Sequence, residues 1–93
     1  PATDLAVVMA VLSSNADSPL PKGVCFAAEV GLAGEIRPVQ RIDQRISEAE
    51  KLGFKAIFVS SSTSVSDQKR NIRVIQLGKI EEVIAKIFSR VQG

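Results

Sequence analysis

Ninety-three residues suit one domain with a single core, and 45% apolar with 24% charged residues is an ordinary globular balance. With no His, one Cys and no apolar run near the roughly 20 residues that span a bilayer, the sequence excludes Ser-His triads, Cys-His dyads, intrachain disulfides, histidine- or cysteine-based metal sites and a membrane-spanning helix. A formal charge of +2 admits a nucleic-acid partner only where cations cluster, and four Phe without Trp or Tyr leave an aliphatic core.

Pro1 stands where an initiator Met would be, directly ahead of a helix cap at Thr3-Asp4. The chain therefore reads as a fragment whose preceding segment, with an upstream partner strand, is missing. No basic region precedes a cleavage site, so the expected location is the cytoplasm. From Asp4 to about Ser14, Leu5, Val8, Met9 and Leu12 follow helical spacing while Val7, Ala10 and Val11 fill the other face. A helix apolar nearly all round is expected between two layers. Asn15 to Gly23, with Pro19 and Pro21, is a loop.

The organising stretch runs from Glu29 to Ser60. An extended run from Val24 to Leu32 is expected to be one hairpin arm, turning at Ala33-Gly34 and leaving as Glu35 to Val39. Pro38 has no N–H to give a ladder, so the second arm should end there or lie at an edge. A helix is expected from about Arg41, with Ile42, Ile46 and Ala49 on one face, stopped by Gly53 in a left-handed cap. Phe54 to Val59 reads as a buried strand. Ser60 to Gln68 is polar, low in complexity and expected to be mobile. Ile72 to Leu77 should lie beside Ile57 to Ser60, and a last helix should run from Ile80 to Val91, with Glu81 and Glu82 in its first turn and Arg90 in its last. The sum is one α/β domain with three helices.

Most candidate sites have plainer explanations. Gly31-Leu32-Ala33-Gly34 is followed by Glu35-Ile36 rather than the Lys and hydroxyl of a phosphate loop, so a tight turn is expected. The hydroxyls of Ser60 to Ser66 have no lysine among them to activate a nucleophile. Cys25 reads as a small buried hydrophobe. Asp43 and Glu50, seven apart on the central helix, read as a solvated face salt-bridged to Arg45 and Lys51. The cations are more suggestive. Arg37, Arg41 and Arg45 recur every four residues, Lys55 lies at the following helix-to-strand corner, and Lys69, Arg70 and Arg73 form a second group. Guanidinium groups suit phosphate because they donate paired hydrogen bonds.

Three blocks, DLAVVMAVLSS (Asp4 to Ser14), EVGLAGEIRPV (Glu29 to Val39) and IDQRISEAEKLGFK (Ile42 to Lys55), together resemble the C-terminal domain of the bacterial DNA-repair family RadA (Sms). That domain is similar to the proteolytic domain of Lon protease. The resemblance implies a Lon-like two-layer α/β fold, about three helices on a small mixed sheet, filling residues 1–93. In Lon-like proteases a serine in G-P-S-A-G is activated by a lysine in G-G-L-K-E-K. Aligned on those segments, Ala2 takes the serine's place and Asp43 the lysine's, which implies a fold kept without its protease chemistry.

The resemblance further implies a module of a larger protein with a cysteine zinc finger and a RecA-like ATPase core. Zinc, ATP and magnesium would bind outside this segment, which would itself hold no cofactor. The family forms hexameric rings and acts as an ATP-driven motor in recombination, promoting branch migration. Single-stranded or branched DNA, further copies of the chain and a recombinase are the implied partners, with no membrane. Arg37, Arg41, Arg45 and Lys55 are the residues expected on DNA phosphates. Two other expectations compete. One is an active Lon-type serine peptidase using Ser13 or Ser14 with Lys51 or Lys55. The other is a pure oligomerisation domain whose arginines bridge subunits.

Overall fold

The computed structural model describes residues 2–89. The Asp4 carboxylate accepts from the Ala6 N–H at 2.8 Å and so starts α1, Leu5–Ala16, the N-cap role its side chain favours. The same residue ends a two-residue strand, β1 (Thr3–Asp4). Asp17, at φ 53°, closes the helix, its N–H reaching the carbonyls of Ser13 and Ser14. Only Leu5 and Met9 of α1 are buried, whereas Val7 and Val11 are each 53% exposed. The expectation of a helix sandwiched between layers is thus corrected. One face packs on the molecule and the other meets solvent.

The extended run after the proline loop is two strands, not one hairpin arm. Val24–Ala27 (β2) ends at Ala28, whose carbonyl accepts from the Leu5 N–H at 2.9 Å. Glu29–Val30 (β3) then enters a different sheet, pairing with β1 and with Ile36–Arg37 (β4) in the antiparallel order β1-β3-β4. The expected turn is present, with Gly34 at φ 81° and its N–H on the Gly31 carbonyl. Pro38 ends β4, which lies at the edge of its sheet as its missing N–H predicts.

Helix α2, Ile42–Lys51, buries Ile42, Ile46 and Ala49, the stripe read from their spacing. Beyond it, the Gly53 N–H bonds the Glu50 carbonyl and the Phe54 N–H bonds that of Ala49, with Gly53 at φ 92°. This paired closure needs a left-handed residue just past the helix, which glycine adopts at little steric cost. The chain then enters Ala56–Ser60 (β5), the central strand of a parallel sheet, buried at every position because both faces of the sheet are covered. Its neighbours are β2 and Arg73–Leu77 (β6), in register Val24↔Ala56↔Arg73 and Phe26↔Phe58↔Ile75.

The parallel sheet separates two apolar clusters. Leu5, Met9, Phe58, Val83 and Ile87 join α1 and α3 (Ile80–Phe88) to one face. Ile42, Ile46, Ala49, Ile57 and Val59 join α2 to the other. Phe26 and Phe58 stack with centroids 5.4 Å apart on the first face. Each fully buried aliphatic side chain, such as Ile46 or Val83, contributes about 1.5–3 kcal/mol. Together these elements form an α/β domain of three helices and two three-stranded sheets. The expected helical turn around Arg90 and Val91 lies outside the described residues.

The serine-rich segment after β5 is tied down rather than free. Ser60 belongs to the strand, is wholly buried, and donates its hydroxyl to the Ile36 carbonyl at 2.9 Å. The Ser60 hydroxyl oxygen in turn accepts from the Ser62 N–H. Gln76 holds the Thr63 carbonyl at 2.9 Å, and Val65 packs on the α2 cluster.

Candidate nucleic-acid interface

The start of α2 carries the arginines singled out by their spacing. Arg41 is the N-cap residue, at φ 58° and ψ 45°, with no side-chain hydrogen bond closing the helix end. Left-handed backbone costs a bulky residue roughly 1–2 kcal/mol, so a glycine or asparagine would be the easier choice on stability alone. The Arg41 carbonyl accepts from the Arg45 N–H at 3.0 Å, which begins the helix. Arg41 and Arg45 therefore stand one turn apart and both are exposed. With Gln40, Gln44 and Glu48 they line a polar groove of about 350 Å³. The Gln44 amide donates to the Glu48 carboxylate at 3.4 Å across it. The groove offers two guanidinium forks and two amides to a bound oxyanion, with one carboxylate setting a limit at its far side.

The other two expected phosphate residues do not join this pair. Arg37 is engaged by Glu35 on its own hairpin, through Nε at 2.9 Å and Nη2 at 2.8 Å. Glu35 is itself a turn residue, accepting also from the Ala33 N–H. Its own backbone N–H, then Arg37 and Ala33, hold its carboxyl below the ordinary range. Lys55 follows the far end of α2, ten helical residues from Arg41, or roughly 15 Å of helix. Its side-chain stem lies over Gly23, where a Cβ would meet Lys55 Cγ at 3.3 Å.

Asp43 behaves differently from the solvated face expected of it. Its Oδ1 accepts from Arg70 Nη2 at 3.1 Å and from the Ser66 N–H at 2.9 Å. The Arg70 side chain is only 5% exposed, so this guanidinium belongs to the interior rather than to a cationic surface. Its Nε and Nη1 have no hydrogen-bond partner among the described residues. On the same helix, Glu50 accepts from the Asn71 N–H at 2.7 Å. Asp43 and Glu50 thus clamp the segment from Ser66 to Asn71 onto α2. Sequence reasoning missed Arg70 and Ser66 here because their partner lies more than twenty residues away. Gln44 and Glu48 had a signal in their three-residue offsets from Arg41 and Arg45, whereas Gln40, just ahead of the helix, had none.

At the two positions that the Lon-like resemblance aligns with a serine and a lysine stand Ala2 and Asp43. Ala2, half-buried ahead of β1, has no side-chain oxygen, and Asp43 is committed to Arg70 and Ser66. The Ser13 hydroxyl donates to the Ser18 carbonyl at 2.6 Å, and no serine–lysine hydrogen bond occurs among the described residues. Burial pushes the Cys25 thiol up, away from the reactive thiolate, in keeping with its reading as a small hydrophobe.

Comparison with known proteins gives two consistent findings. A family model described as subunit ChlI of Mg-chelatase matches residues 1–63. The protein named DNA repair protein RadA from Streptococcus pneumoniae is 50% identical over 91 residues, covering 96% of this chain and 21% of that protein. Those from Listeria monocytogenes and Bacillus subtilis are 44% and 42% identical, over 92% and 90% of this chain and 19% of each relative. The chain spans about a fifth of the length of these relatives. Among the described residues no helix is long and apolar enough to cross a membrane.

Proposed function

The chain belongs to the family described as subunit ChlI of Mg-chelatase, and we propose that it serves as the non-proteolytic, Lon-like C-terminal domain of a RadA-type DNA-repair protein. The observation that carries this reading is 50% identity to a DNA repair protein RadA across nearly the whole chain. In this role residues 1–93 are one domain, an assembly scaffold with a DNA-binding face for an ATP-driven motor that promotes branch migration in homologous recombination. The working location is the cytoplasm. ATP, magnesium and zinc bind to other parts of the full protein, and its partners are single-stranded or branched DNA, further copies in a hexameric ring and a recombinase. The loss of an oxygen nucleophile at Ala2 and the commitment of Asp43 to Arg70 support the non-proteolytic reading.

Arg41 and Arg45 are the phosphate contacts. Both are exposed, stand one helical turn apart and are free of ion pairs among the described residues. Each guanidinium donates paired hydrogen bonds to a phosphate, and Gln40 and Gln44 add neutral donors in the same groove. Such contacts position the strand and carry no sequence preference. Arg41 lines this groove from left-handed backbone, the kind of local cost retained where a residue works. Arg37 has a smaller part, because DNA must compete with Glu35 for its guanidinium.

Anisotropy of labelled single-stranded DNA titrated with the intact protein tests this assignment. Arg41→Ala with Arg45→Ala should weaken binding at least tenfold at low salt and flatten the salt slope by about 1.4, from about 0.7 per lost phosphate contact. An unchanged affinity and slope would remove the DNA role from these residues while leaving the scaffold role standing.

A further inference from the structure

Among the described residues two surfaces of the domain are left without partners, and they are complementary. The first is the outer face of α1. The helix has no charged residue between Leu5 and Ala16, and its Val7 and Val11 are each 53% exposed, one turn apart. Its ends are acidic: Asp4 caps the start beside its sheet partner Glu29, and Asp17 closes the finish. No cation occurs before Lys22. The second surface is a groove of about 470 Å³ between α3 and the parallel sheet. Val24, Phe58, Ile75 and Ile87 form its apolar floor, and Arg73 and Lys86 stand on its rim. No carboxylate and no residue of α1 lines it, and neither rim cation is in an ion pair among the described residues.

We propose that α1 of one copy docks in the α3–β6 groove of the next, joining copies head to tail. This rests on the scaffold role above and names the faces that perform it. Charge sets the direction of pairing. Two α1 faces would bring acidic ends together and two grooves would bring cations together, so the surfaces satisfy each other only when unlike faces meet. Val7 and Val11 supply aliphatic surface for the apolar floor, while Asp4, Glu29 and Asp17 meet Arg73 and Lys86. Nucleic acid fits this groove less well, because its floor is aliphatic and Phe58, the one aromatic ring lining it, is only 4% exposed, with no face open for a base to stack on. A contact between unlike faces propagates, closing into a ring where the rotation allows and extending into a filament where it does not.

Sedimentation velocity and native mass spectrometry of the intact protein at tens of micromolar provide the test. Val7→Lys with Val11→Lys sets cations against the groove, and Arg73→Glu with Lys86→Glu sets acids against α1. Each pair should raise the dissociation constant for assembly at least tenfold with circular dichroism unchanged. All four positions are exposed, and the milder Val11→Gln and Lys86→Gln, each expected to weaken assembly several-fold, serve if a double variant melts early. Mixing the two double variants should restore association at least to a heterodimer, since each brings one intact face. Wild-type assembly in both variants, or no association on mixing, would overturn the docking while the scaffold role stands. A monomeric wild-type protein would overturn both.

Discussion

Arg70 and Arg41 approach the same helix start under opposite conditions. Arg70 is 5% exposed along its side chain and is held by Asp43 in the first turn of α2. Arg41, two residues ahead of that aspartate, is exposed, in no ion pair among the described residues, and held in left-handed backbone. The first spends its charge inside the fold, tying a serine-rich segment to a helix. The second offers its charge outward at a local cost in backbone energy. Two arginines near one helix end therefore divide, by what surrounds them, into one buried in an ion pair and one left to solvent, the exposed one being the proposed phosphate contact.

The largest effect should come from breaking the buried member. Asp43→Ala leaves the Arg70 guanidinium with no carboxylate, and because Asp43 itself is 46% exposed the loss is placed at about 2–3 kcal/mol. For a domain of this size that corresponds to a melting temperature lower by roughly 10–20 °C, read by thermal denaturation, with DNA affinity unchanged below the melt. Stability within about 0.5 kcal/mol of wild type would show that the clamp contributes little. The exposed pair should behave in the reverse sense. Arg41→Ala with Arg45→Ala should keep stability within about 0.5 kcal/mol while losing the tenfold or more of DNA affinity stated above. Arg41→Gly sharpens the contrast within one residue, since it should raise stability by about 1 kcal/mol through relief of the left-handed backbone. The same substitution should weaken DNA binding less than the double variant, as denaturant titration and anisotropy on one sample would reveal.

The smallest effect belongs to Glu35, whose exposed carboxyl is held below its ordinary value of 4.5 by hydrogen bonds from its own N–H, Arg37 and Ala33. A depressed carboxyl stabilises the hairpin fully above its unfolded pKa, and that contribution is lost as pH falls through the folded value. The Glu35 side-chain carbon resonance should titrate with a midpoint below 4.5. Arg37→Ala should move the midpoint upward with little change in global stability.

Local rules made much of this fold legible. Ile42, Ile46 and Ala49 were readable because three- and four-residue spacing leaves one apolar stripe, and Gly53 because a left-handed closure favours glycine. The sidedness of α1 was not readable, since Val7 and Val11 are as apolar as Leu5 and Met9 and nothing nearby says which pair meets the sheet. The break at Ala28 was equally silent. Val24 to Val30 contains no turn residue, and the strand changes sheets because the start of α1 takes the Ala28 carbonyl. At the site, the Arg41–Arg45 spacing was visible, but the separation of Arg37 and Lys55 from it depended on Glu35 and on the length of α2. Arg70 read as a surface cation because its partner, Asp43, is distant in sequence.

Beyond its pairing with β1, the hairpin of β3 and β4 is fastened to parts of the chain that come later. The Ile36 carbonyl accepts from the Ser60 hydroxyl, the Ile36 N–H donates to the Gly78 carbonyl, and the Gly34 carbonyl accepts from the Ile80 N–H. A chain leaving the ribosome makes the hairpin's residues first and their anchors some twenty-five to forty-five residues afterwards. Until the parallel strands pair, the hairpin has only the short upstream strand β1 to lock against. Synthesis therefore leaves the EVGLAGEIRPV block, one of the three that carry the family resemblance, waiting on residues well downstream for most of its anchors.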